Sequence, residues 1–109
     1  MPASAVHHVR VGDGRVLIDR NTCALYLADA PAAALVERDG QVYLVPLSGP
    51  VAGGMLLKQR NAAGDRVLLA TDFLAERGLG RFSAERDYAV RWVAEAGGLL
   101  IEGLGKTSL

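Results

Sequence analysis

His7 and His8, Cys23, and the aromatic trio Tyr43, Tyr88 and Trp92 are the residues of this chain whose types could do chemistry. Paired imidazoles suggest a metal, since histidine is the commonest metal ligand. Neighbouring residues on a strand point to opposite faces, so the two rings are expected to diverge and to serve as ordinary strand residues. Further ligands would have to come from Asp19, Asp29 or Cys23, and no regular spacing links these to the histidines. No metal site and no cofactor are predicted. Cys23 follows Asn21-Thr22 and precedes an apolar run. A nucleophilic thiol needs an electropositive, partly open setting with a histidine in reach. Arg20 and one of the histidines could supply these, but nothing around Cys23 matches a protease signature. A buried small hydrophobe is its expected role.

Glycine-containing motifs fail on spacing. Gly105-Lys106-Thr107 matches the end of a phosphate-binding loop, but Leu100 stands where that pattern needs its first glycine. Only Ser108 and Leu109 follow, too few for the helix whose N-terminus would face the phosphates. Gly12-x-Gly14 and Gly78-x-Gly80 lack the third glycine of a dinucleotide fingerprint. Ser48 has Pro46 two residues before it, which excludes a nucleophile elbow. No nucleophile–base or carboxylate pair has a spacing that forces proximity, so the reading leans away from an enzyme.

Two surfaces remain. Arg77, Arg81, Arg86 and Arg91 run together with Phe82, Tyr88 and Trp92, the residue types of a nucleic-acid surface. Glu76, Glu85 and Asp87 interleave with them, so four positive charges less three negative leave only +1. A self-neutralising solvated face is expected, because mixed charges make little net field. Tyr88, Val90 and Trp92 alternate on one strand face, with Arg91 on the other, and Tyr43 could extend the aromatic stripe. Core packing is the default for such a stripe. The alternative is a small-molecule site in the mouth of the sheet, lined by Tyr43, Tyr88, Arg91 and Trp92, with Glu102 or a histidine as further polar partners.

The elements that must position these residues are short β-prone runs separated by turns. Asp13-Gly14 lies between Val9-Arg10-Val11 and Arg15-Val16-Leu17-Ile18, and Asp39-Gly40 between Ala34–Arg38 and Gln41–Leu47. Asp-Gly between such runs marks a tight hairpin. Met55–Arg60 with Arg66–Ala70, and Tyr88–Val93 with Leu99–Glu102, predict two more hairpins. The Ser48–Gly54 stretch reads as a loop, Cys23–Leu27 as a further strand, and the residues from Gly103 onward as a frayed tail. Thr71-Asp72 followed by Arg77-Gly78 brackets one short helix near residues 72–77, placed to plug a barrel end. The expected fold is therefore mainly β or α+β in a single domain of 109 residues. It is a small antiparallel, hairpin-rich sheet or partly closed barrel of roughly eight strands.

Val9-Arg10-Val11-Gly12-Asp13-Gly14-Arg15-Val16-Leu17-Ile18 resembles the first hairpin of swapped-hairpin transcription factors. The resemblance covers about ten residues and implies a DNA-binding regulator whose second strand leads into a short helix. Those proteins usually carry a proline after the second strand, where this chain has Asp19. Twelve basic and twelve acidic residues give no net charge, which argues against nucleic acid as a partner.

Leu56-Leu57, Val67–Leu69 and Leu99–Ile101 are continuous apolar runs where a half-solvated strand should alternate. One helix cannot cover so much second face, so Leu56, Leu68 and Leu100 are expected at an interface with another copy or a protein partner. Zero net charge favours the same outcome. The functional expectation is a noncatalytic β-rich module acting through self-association or protein contacts. With half the residues hydrophobic, a packed core is feasible, but no apolar run approaches the length of a membrane span. One unpaired cysteine and the lack of a readable export signal make the cytoplasm the expected compartment. Ten arginines against two lysines suggest a bacterial, GC-rich source.

Overall fold

Four antiparallel hairpins make up the computed structural model, which describes residues 7–27, 30–49 and 54–105. The first joins β1 (His7–Gly12) to β2 (Arg15–Ile18), and the second joins β3 (Ala32–Arg38) to β4 (Gln41–Leu47). Their turns behave as Asp-Gly predicts: Asp13 and Gly14 have φ of 52° and 73°, and Asp39 and Gly40 have 54° and 78°. Two consecutive left-handed residues match the right-handed twist of the flanking strands. The third hairpin joins β5 (Met55–Gln59) to β6 (Arg66–Leu69), and the fourth joins β7 (Arg86–Val93) to β8 (Gly98–Ile101) through a 3₁₀ turn at Ala94–Ala96.

The strands close into a barrel in the order β1-β2-β6-β5-β3-β4-β8-β7, every neighbour antiparallel. The third hairpin is thus inserted between the first and the second. Eight strands enclose a space that side chains just fill. Val9, Val11, Val16, Ile18, Leu35, Val42, Leu44, Leu57, Leu68, Leu99 and Ile101 are all buried in one core cluster. The mainly β expectation holds, and the barrel is closed.

Helical segments close both ends. At one end α2 (Thr71–Ala75) sits between β6 and β7 and buries Leu74 completely. The predicted helix near 72–77 therefore forms, one residue early and shorter. Thr71 is not its cap: Ala70 holds the N-cap position without a side-chain hydrogen bond. The segment is instead stitched to the first hairpin turn, where the Gly14 amide donates to the Leu79 carbonyl (3.0 Å) and the Ala70 amide to the Gly14 carbonyl (2.9 Å).

At the opposite end, Cys23–Leu27 is not a strand. A single α-turn, α1 (Arg20–Thr22), continues into a π-helical turn at Cys23–Leu27. Asp19 decides this locally: its backbone is extended, and its carboxylate accepts from the Thr22 amide at 2.7 Å. An Asp cap satisfies a donor that the helix start leaves unpaired. From just before the adjacent strand β6, the Asp65 carboxylate accepts from the Arg20 amide at 2.8 Å. The apolar pattern of residues 23–27 suits a strand equally well, and the cap overrides it.

Candidate functional site

The barrel presents three places where chemistry could concentrate: its outer face and its two ends. Strand register assigns the residues among them. On β7, Tyr88, Val90 and Trp92 take the inward parity, since Val90 is buried in the core. Trp92 lies at the end closed by the π-helical turn. Tyr26 stacks parallel to it at 6.2 Å between centroids, and His7 meets Tyr26 edge-on at 5.5 Å. Tyr88 lies four residues away, toward the end closed by α2. Tyr43 and Arg91 are outward, the two register partners that flank Leu100. Tyr43 Oη donates to Gln41 Oε1 at 3.2 Å, and the Arg91 guanidinium stands 4.0 Å from Glu102. The four residues expected to line one mouth are therefore spread over both ends and the outside.

The three leucines expected at an interface also divide. Leu68 points into the barrel and is fully buried. Leu100 faces outward but is buried between its neighbours. Leu56 is 64% exposed, and its cross-strand neighbour Leu69 is 47% exposed. From Leu56 the outward face continues through Ala32, Ala34 and Val36 of β3 to Tyr43, Val45 and Leu47 of β4 and Leu100 of β8. Val36 is 37% exposed, and Ala34, Tyr43, Val45 and Leu47 are half-buried. Among the described residues no charged side chain interrupts this face. Lys58, Arg38, Arg91 and Glu102 lie only along its margins.

The candidate nucleophile and metal ligands do not converge. Cys23 is buried, and its thiol donates weakly to the Ile18 carbonyl at 3.6 Å. Burial pushes the thiol up from 9.0 to about 11, against a smaller opposing pull from Arg66. A raised acid pKa in the folded state means the unfolded chain ionises first. Stability from this residue is thus full below pH 9 and is lost as pH rises toward 11. We expect a loss of about 2–3 kcal/mol across that interval. Urea midpoints measured on either side of it should fall for the native protein, and Cys23→Ala should remove this part of the fall. His7 points inward and His8 outward, as strand alternation requires. Among the described residues no three His, Cys, Asp or Glu side chains are grouped to hold a metal. Lys106 and Thr107 of the phosphate-loop near miss, Asp29, and the Pro50–Gly53 part of the predicted loop lie outside the described residues.

Two features escaped sequence reading. Phe82 is 95% exposed with φ of 67°, held there by its amide donating to Asp13 Oδ1 at 2.7 Å. A tight partner at residue 13 leaves no trace in the local pattern around residue 82. The other is a cleft at the α2 end, where Arg77 and Arg86, two residues of the mixed-charge run, come together beside Tyr88. Inward parity with Tyr88 was the available signal for Arg86. No described helix is long and apolar enough to cross a membrane. No known protein family, curated protein or solved structure matches this chain.

Proposed function

We propose that the protein is a noncatalytic module that works by self-association, a second copy of the chain covering the outer face of β5, β3, β4 and β8. The observation that carries this reading is the uncharged outer surface running from Leu69 and Leu56 through Val36 to Tyr43 and Leu100, with charges only at its margins. An apolar centre with a polar rim is the anatomy of a protein interface. Another copy is favoured over a charged partner, because the face offers no ionic selectivity and the chain carries no net charge to hold copies apart. The two helical segments close the barrel ends and leave this face to a partner. The burial of the one thiol and the divergence of His7 and His8 support a noncatalytic role. A buried, unpaired cysteine also suits a reducing cytoplasm.

Absolute mass by light scattering over a concentration series tests the proposal. The native chain should approach twice 11.5 kDa as concentration rises. Leu56→Glu should return it to a monomer at the same concentrations, while its urea midpoint should nearly match that of the native chain at dilutions where both are monomeric. An exposed position carries little of the monomer's stability, within about 0.5 kcal/mol. A native chain that stays monomeric throughout would sink the reading.

A further inference from the structure

The cleft at the α2 end has no role in the outer-face contact. It opens because β7 outruns β8: their last rung pairs Val90 with Ile101, and the Glu102 amide still reaches the Ala89 carbonyl at 2.9 Å. Beyond that point Arg86–Tyr88 are paired only with β1. The chain after β8 turns away through Gly103 toward Gly40, leaving a cleft of about 370 Å³. Clefts of roughly 300–1,000 Å³ are the size that holds small molecules.

Its walls combine cations with apolar surface. Arg77 is the buried wall, with a side chain 8% exposed. Its two terminal nitrogens are committed to Glu37 and to the Phe73 carbonyl, and its Nε–H is buried without an acceptor. Buried donors are nearly always paired, so this one calls for an oxygen. Arg86 is exposed and has no carboxylate within ion-pair distance among the described residues. Its neighbours Glu85 and Asp87 have the other strand parity: Glu85 pairs with Arg10 and Arg15, and Asp87, which also borders the cleft, has its carboxylate paired with Arg10 at 3.4 Å. Leu79, Leu104 and the Tyr88 ring supply apolar surface, and among the described residues no atom lies within 4 Å of a side-chain position at Gly78 or Gly103.

We propose that this cleft binds a small organic oxyanion, a carboxylate or phosphate monoester on an apolar ring. Its charged group is held by the Arg86 fork and its ring lies against Tyr88 and the leucines. A planar guanidinium matches either oxyanion with two parallel hydrogen bonds. The cleft's size suits a small molecule better than a length of polymer.

The test is a titration of the full-length, isotope-labelled chain, followed by backbone amide signals in two-dimensional NMR. Phenyl phosphate, benzoate and inorganic phosphate serve as separate probes. Saturable shifts at Gly78, Tyr88 and Gly103 with phenyl phosphate or benzoate are expected, and the tighter of the two identifies the anionic group. Arg86→Gln should weaken that binding about tenfold or more. Arg86→Lys, which keeps the charge but loses the fork, should fall between, and Arg60→Gln on another face should change nothing. Absence of saturable shifts with all three probes would overturn the site. So would binding that ignores both Arg86 variants. Inorganic phosphate binding as tightly as phenyl phosphate would overturn the organic ligand.

Discussion

Leu74→Ala should destabilise the protein by about 3–4 kcal/mol, the middle of the range for Leu-to-Ala changes in a core. Leu74 has no exposed surface and is the residue by which α2 stops the barrel end. The substitution removes apolar contacts and leaves a void that the barrel cannot collapse into, because closed strands have no free edge along which to shift. The local backbone limits relaxation further. The Leu74 carbonyl accepts from the Arg77 and Leu79 amides, each at 2.9 Å, which fixes where the chain leaves the helix. Urea unfolding followed by far-UV circular dichroism would measure the loss, and Tm should fall by more than about 10 °C. Leu69→Ala, at an exposed site nearby in sequence, is the control and should cost less than about 1 kcal/mol. A comparable loss for both would mean that α2 is not the plug the packing describes.

Glu37→Gln should cost about 2–4 kcal/mol, more than Arg77→Met at the other end of the same ion pair. The pair joins β3 to the chain leaving α2, forty residues apart, and so fastens the plug to the wall. Its two ends differ in exposure. The Arg77 side chain is 8% exposed and that of Glu37 is 28% exposed. Burial also pulls the Arg77 guanidinium below its ordinary value, the mark of a cation held where water is scarce. Without the Glu37 charge that cation keeps the Phe73 carbonyl at 2.8 Å, the Phe73 ring at 3.8 Å, and as counter-ion only the exposed Glu76 carboxylate at 3.7 Å, which water screens. A buried charge stripped of its partner is costly, and the cost grows with how little water the remaining charge can reach. After Arg77→Met the remaining carboxylate can recover water. Chemical denaturation of the two variants measures the asymmetry, and Arg77→Met costing more would show that Arg77 works through packing on Phe73 rather than through charge.

Local chemistry explains why much of the architecture was legible. Asp13-Gly14 and Asp39-Gly40 occupy turn positions that need left-handed backbone, so both hairpins follow from a few adjacent residues. The helix between β6 and β7 was readable from a polar start and a glycine stop, although the residue that caps it was not. Cys23–Leu27 misled because five apolar or small residues satisfy a strand and a helical turn alike. The Asp19 carboxylate on the Thr22 amide, backed by Asp65 on the Arg20 amide, tipped that balance. The first of these contacts spans three residues and was open to inspection; the second spans forty-five and was not.

The candidate sites divide along the same line. That Arg86, Tyr88 and Trp92 share a strand face is a matter of alternation alone, and so is the separation of His7 from His8. That Tyr88 and Trp92 then serve opposite ends, while Tyr43 and Arg91 flank Leu100 outside, depended on where β8 meets β4 and β7 around the ring. The outer face is a similar case. Continuous apolar runs announced a second apolar surface, but only closure decided that Leu68 fills the core while Leu56 and Leu69 stay outside.

By itself, then, the sequence determined the four hairpins, the plug helix and the parity of each strand, because turn conformation and side-chain alternation are set by residues within reach of one another. The order of hairpins around the barrel (first, third, second, fourth), the cleft between Arg77 and Arg86, and the uncharged outer face were decided only by the tertiary structure. They depend on pairings such as β2 with β6 and β4 with β8, and those are chosen by how whole strand faces pack when the ring closes.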